Sequence, residues 1–225
     1  MSIQTELTIS ALYDLSHTAA APLLARFTYP WEALPHIGDF IRELGAALSP
    51  DDYDQPQPGV WIHRTATVAP SASIAAPCII GANTEIRHCA FIRGNALVGE
   101  GAVVGNSTEL KNVILFDGVQ VPHYNYVGDS ILGYKAHMGA GSITSNVKSD
   151  SGSPVVIHGS AGDIPTGMKK TGAMLGDHAE IGCGSVLNPG TVIGRNAIVY
   201  PLTSVRGFIP ENHICKDTRT IVPRK

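Results

Sequence analysis

The chain has 225 residues, 44% of them hydrophobic, and a formal net charge of −3. That length suits one large domain, or one domain with a small appendage. The weak charge holds no Lys/Arg block, which argues against nucleic acid or an anionic membrane as partner, and no apolar run approaches transmembrane length.

The N-terminal MSIQTELTIS lacks a basic stretch followed by an apolar one, so a cytoplasmic protein is expected. Cys78, Cys89, Cys183 and Cys215 are scattered without paired-ligand spacing. They read as reduced thiols, mostly buried, and no metal site is expected.

Residues 1–58 read as a helical cap and linker. ALYDLSHTAAAPLLARF and HIGDFIRELGAALS have helix-like apolar spacing interrupted by Pro30 and Pro35. Phe40, Ile41, Leu44 and Leu48 suit one face of a short helix. DDYDQPQPG has linker composition. No glycine-rich phosphate loop follows a strand here, so nucleotide binding by this segment is not expected.

From Trp61 aliphatic residues recur at every sixth position: Ile62, Val68, Ile74, Ile80, Ile86, Ile92, Val98, Val104 and Leu110, with Phe116 continuing the phase. A small side chain follows four residues later, as at Ala66, Ala72, Ala90 and Ala102. A helix has its apolar repeat at three and four, so a period of six excludes it. Three short strands per turn of a parallel solenoid fit instead, with the aliphatics inward and glycine at corners. Periodicity leaves the hand of the coil open. The phase slips in FDGVQVPHYNYVGDS, which predicts a loop over 117–127. It is lost again over 146–170, a Gly/Ser/Pro-rich excursion, and returns at Leu175, Ile181, Leu187, Ile193, Val199 and Val205. The expected solenoid covers 59–210, and residues 211–225 form a capping tail.

His123 lies in the slipped stretch, where a side chain can project from the coil. A free imidazole titrates near ~6.5, which suits removal of a proton from an attacking amine. A solvated surface histidine is the competing reading. Glu109 and Lys111 flank the inward Leu110 and so share the outer face. Arg93 follows the inward Ile92 and should stack against Lys111 one coil on. Two adjacent cations repel, which hints at an anion between them; a solvated ion pair for Glu109 and Lys111 is the plain alternative. Gly139, Ala140 and Gly141 form a turn whose N–H groups can approach a ligand closely, or simply a coil corner.

Hexads of the Ile-Gly-x-x-Ala kind resemble the left-handed β-helix, hexapeptide-repeat acyltransferases. VGNSTELKN, PHYNYVGDS and GAGSITSN, in that order, resemble the acetyltransferase module of the bifunctional sugar-1-phosphate nucleotidyltransferase/acetyltransferases. KKTGAMLGDHAEIGCGSVLNPGTVIG is similar to their archaeal-type branch. The resemblance implies an all-β fold, a single-stranded left-handed parallel β-helix with a short α-helical N-terminal segment. It implies an acyltransferase module standing alone, without nucleotidyltransferase activity. The expected reaction transfers an acyl group, acetyl by resemblance, from acetyl-CoA to an amino-sugar phosphate or nucleotide-linked amino sugar of the UDP-N-acetylglucosamine kind. His123 would be the general base and Glu109 its orienter. Arg93, Lys111, Tyr126, His137 and Asn146 would meet the sugar. Gly139, Ala140, Gly141, Cys183 and Pro201 would lie along the acyl donor, and Lys169 and Lys170 of the long loop could stand in for a lysine of the family pattern that is missing here and meet the CoA phosphates. No metal is required, and a homotrimer with sites between protomers is implied.

There are departures. His137 stands where the bacterial relatives of the resembling family place an asparagine, and Val147 replaces a tyrosine. These favour a second hypothesis, a catalytically degenerate β-helix that binds nucleotide sugar or regulates a nucleotidyltransferase partner. A metal-dependent enzyme using His88, His123 and His137 fits the surrounding motifs less well. His158 and His178 read as surface residues.

Overall fold

A computed structural model describes residues 3–150 and 152–225. The six-residue period becomes a three-sided parallel coil. Ile62 pairs with Ile80, and Ile80 with Val98, on one side. Val68, Ile86 and Val104 stack on the second, and Ile74, Ile92 and Leu110 on the third. Ile80, Ile92, Val104 and Leu110 are completely buried. Each such side chain contributes roughly 1.5–3 kcal/mol through removal from water.

The first side, running through Cys78–Ile80 and Ala96–Val98, is covered by the N-terminal segment. The helix Ile37–Ala46 packs there with Phe40 and Ile41 buried, the face predicted from spacing. Pro30 and Pro35 both sit in a 3-10 helix, Pro30–His36. Gly45 lies flat on Trp61: a Cβ on Gly45 would come within 2.4 Å of the indole. At the far end, His213–Cys215 adds a parallel strand to Ile198–Val199. Ile221–Pro223 then pairs antiparallel with it, so the tail turns back on the last coil and ends the parallel stack.

The phase slip lies elsewhere than expected. Between Arg93 and Ala96 the corner from third to first side has two residues, Gly94 and Asn95; between Lys111 and Val113 it has only Asn112. Leu110 pairs with Ile92, yet Ile114 pairs with Leu97. One residue has been lost at that corner, and the next coil repeats the tightened corner with Asp129 alone. Asn112 and Asp129 take the left-handed backbone conformation this demands, at φ 55° and 48°; Asn and Asp reach it at low cost.

Two expectations change as a result. Leu115, not Phe116, takes the inward place, paired with Val98 and Leu132. Phe116 falls one position later, beside Gly99, and is buried against Tyr13 of the N-terminal segment with ring centroids 5.1 Å apart. The stretch 117–127 does not leave the coil either. Gln120–His123 pairs with Val103, Val104 and Asn106 below and with His137 above.

The excursion departs from the same tightened corner, at Asn146, and folds into a hairpin of Val156–Gly159 and Gly162–Pro165. Val155 and Ile157 are buried. Gln4 Nε2 donates to Gly162 O at 2.8 Å, and Ala161 N donates to Gln4 Oε1 at 3.1 Å, so the hairpin is tied to the N-terminal segment.

Candidate active site

His123 ends its strand at the corner between second and third sides, exposed. A ladder of main-chain bonds runs along that corner. Gly141 N–H donates to His123 O at 2.9 Å, Gly184 N–H to Ala140 O at 2.8 Å, and Leu202 N–H to Cys183 O at 2.9 Å. His123, Ala140, Cys183 and Pro201 are therefore successive positions of one column. Glycine is required beside it: a Cβ on Gly139 would lie 2.7 Å from Cys183 N, and one on Gly105 only 1.6 Å from Pro122 O.

Asn125 fixes this corner. It is buried, its Oδ1 accepts from His123 N at 3.1 Å, and its Nδ2 donates to Gly139 O at 2.9 Å and Ser142 O at 3.1 Å. One amide thus joins the histidine backbone to the Gly-Ala-Gly turn. The sequence reading passed over Asn125, because a loop assignment there gave its side chain no buried partners.

The third side carries the remaining cluster. Arg93 Nη1 meets Glu109 Oε1 at 2.8 Å on the surface. Lys111 Nζ lies 3.0 Å from both oxygens of Asp129. Asn112 Nδ2 donates to Asp129 Oδ1 at 3.0 Å, and Asn146 Nδ2 to Asp129 Oδ2 at 2.6 Å. Asn146 also donates to the Tyr126 hydroxyl at 3.2 Å. Burial pushes the Tyr126 phenol above its ordinary range, with the Asn146 hydrogen bond opposing. Gly128 makes room for this contact, since its Cβ would meet the Tyr126 hydroxyl at 2.5 Å.

Arg93, Glu109, Lys111, Tyr126 and Asn146 therefore share the third side: Glu109 and Tyr126 begin its strands, after the His123 corner, and Asn146 stands at the tightened corner where that side ends. Arg93 and Lys111 each face a carboxylate of the chain, so their mutual repulsion does not by itself call for an anion between them. Among the described residues Glu109 hydrogen-bonds to Arg93 and not to His123. His137 lies apart, on the second side, hydrogen-bonded to Glu180, which raises its pKa above the ordinary imidazole value. Lys169 and Lys170 end the excursion, with Lys170 bridged to Val147 at the opposite corner from the His123 column. All four cysteines are free; Cys78 and Cys215 are buried, whereas Cys89 and Cys183 are exposed. Among the described residues no three His, Cys, Asp or Glu side chains cluster as metal ligands, and no helix is long and apolar enough to cross a membrane.

Residues 74–161 match the family model described as the GMPPB C-terminal domain. The chain is 28% identical over 200 residues, 88% of its length, to a bifunctional protein GlmU of Methanococcus maripaludis, covering 48% of that protein. It is 32% identical over 111 residues, 49% of its length, to a bifunctional sugar-1-phosphate nucleotidylyltransferase/acetyltransferase of Sulfurisphaera tokodaii, covering 27% of it. The chain thus spans about half or less of the curated relatives it matches. Among solved structures, a hexapeptide transferase family protein from Anaplasma phagocytophilum aligns over 74% of this chain and 79% of its own, at 17% identity and a TM-score of 0.42. With its coils of six-residue repeats and these sequence matches, the chain is a parallel β-helix protein that resembles the acetyltransferase module of the bifunctional sugar-1-phosphate nucleotidyltransferase/acetyltransferases.

Proposed function

We propose that the chain is an acyl-CoA-dependent N-acyltransferase that acetylates an amino-sugar phosphate or nucleotide-linked amino sugar. The observation that carries this reading is that His123, Ala140 and Cys183 form one column at the corner where the third side begins, and that this side carries Arg93, Glu109, Lys111, Tyr126 and Asn146. The acyl donor, acetyl-CoA, lies along that column, where glycines keep the surface low, and the sugar lies across the third side. Relatives named as bifunctional acetyltransferases support the chemistry.

In the transfer step the sugar amine attacks the thioester carbonyl. His123 takes the proton released by the nitrogen and hands it to the departing CoA thiolate, so proton and leaving group balance. In the Gly139–Gly141 turn the outer two N–H groups are spent on Ile181 O and His123 O, which leaves the Ala140 N–H to approach the developing oxyanion. Glu109 becomes the orienter of His123 once an anionic acceptor draws Arg93 away from it; the exposed pair is weak enough to open. Tyr124 and Leu202, 66% and 85% exposed beside His123 and Cys183, provide apolar surface for two further copies in a cytoplasmic homotrimer. The sites then lie between protomers.

The contact of Glu109 with Arg93 instead of His123 favours a second reading, a β-helix that binds nucleotide sugar without turning it over. Incubation with acetyl-CoA and a panel of amino-sugar phosphates and UDP-linked amino sugars, with detection of free thiol, separates the two. Acceptor-dependent thiol release is expected. Binding of UDP-N-acetylglucosamine with no affinity for CoA supports the second reading instead.

A further inference from the structure

Asp129 is an ionisable group with no role in the chemistry above, yet its carboxylate accepts from three side chains near the site. It is 4% exposed. Its carboxylate faces three donors from the two neighbouring coils: on one, the Lys111 ammonium at 3.0 Å to both oxygens and the adjacent Asn112 amide at 3.0 Å; on the other, the Asn146 amide at 2.6 Å. Asn112 also reaches Leu34 O in the N-terminal segment at 3.3 Å, and Asn146 reaches the Tyr126 hydroxyl at 3.2 Å.

A buried carboxylate is costly unless its lone pairs are met, and here they are met by side chains that also border the site. Lys111 and Asn146 are long or flexible enough to wander if left in solvent. Asp129 removes that freedom before any ligand arrives, and it does so from the tightened corner, where its left-handed backbone aims the carboxylate between the coils. The hydrogen bonds it takes up leave the Lys111 ammonium with capacity for one further acceptor, since an ammonium has three donors.

We propose that Asp129 is a positioning residue for the acceptor half of the site: it holds Lys111, Asn146 and, through Asn146, Tyr126 in the arrangement that receives the sugar, and it has no part in binding the acyl donor. This rests on the acyltransferase reading. The test is a steady-state comparison of wild type with Asp129→Asn, using acetyl-CoA and either glucosamine 1-phosphate or a UDP-linked amino sugar, whichever the wild type turns over. Asparagine tolerates the backbone but turns a donor toward Lys111 and Asn146. The KM for the acceptor is expected to rise at least about tenfold, while that for acetyl-CoA stays within about twofold. Because Asp129→Asn leaves Lys111 without its counter-charge, the double variant Lys111→Met/Asp129→Asn is measured against Lys111→Met. It should raise the acceptor KM a further ~3-fold, because Asn146 is released as well.

Equal rises in both KM values, or none, overturn the proposal. So does failure of both Asp129 variants to fold, which makes the residue a folding determinant only. Wild-type protein inert with every acceptor sinks the acyltransferase reading and this proposal together, whereas an active wild type with unchanged acceptor KM in the variants sinks the proposal alone.

Discussion

Arg93 Nη1 and Glu109 Oε1 stand 2.8 Å apart on the open third side, with the two side chains 46% and 31% exposed. An ion pair so placed adds little stability, because water screens it and two long side chains must be ordered. Arg93→Met should therefore leave the urea midpoint essentially unchanged. The same substitution should raise the acceptor KM roughly tenfold if the guanidinium binds the acceptor's phosphate. A large stability loss with unchanged KM would assign Arg93 to the fold instead.

Two glycines near His123 separate steric exclusion from backbone strain. At Gly105 a Cβ would lie 1.6 Å from Pro122 O, in a strand that pairs with the strand of His123. Gly105→Ala should cost about 3 kcal/mol or more, since only movement of the coils relieves the clash. At Gly141, with φ +71°, a Cβ meets nothing within 4 Å. Gly141→Ala should cost only about 1 kcal/mol, the penalty of a left-handed L-residue. Denaturant titration of both variants checks the ordering.

Asn125 is held by the backbone of His123 on one side and of Gly139 and Ser142 on the other. Asn125→Ala strands buried polar groups and should cost about 1–3 kcal/mol. In the surviving folded enzyme kcat should fall more than KM, because the base and the glycine turn lose their common anchor. Thermal melts paired with kinetics distinguish this from a purely structural loss, in which specific activity per folded molecule is unchanged.

His137 offers a pH signature away from the site. Its hydrogen bond to Glu180 raises the folded pKa above the ordinary value of 6.5. A histidine raised on folding stabilises fully below its unfolded pKa, and that contribution fades as pH rises through the folded value. The Tm difference between wild type and Glu180→Gln should therefore be larger at pH 5.5 than at pH 8.5. Equal differences at both pH values would show that the pair contributes nothing through protonation.

The inward columns were legible from the hexads because each aliphatic meets its equals above and below, as Ile74, Ile92 and Leu110 do. The slip was legible as a slip but was placed too late. Phe116 is apolar and six residues after Leu110, so pattern alone could not tell that a residue was missing at Asn112. Only the N-terminal segment, through Tyr13, explains why a phenylalanine can stand outside the coil. Glu109, Arg93 and Lys111 were legible together because outward positions one coil apart are adjacent in space, whereas Tyr126 and Asn146 came only through the family resemblance. Asp129 and Asn125 were missed because both sit at corners and act through buried hydrogen bonds, which no spacing rule reveals.

The central claim is that the His123 imidazole takes the proton from the acceptor amine. The most direct test is acceptor-dependent release of CoA thiol by wild type and His123→Ala at saturating acetyl-CoA. Loss of a positioned general base should lower kcat by about 10²–10⁴-fold with the fold intact. A His123→Ala protein that turns over as fast as wild type would contradict the account.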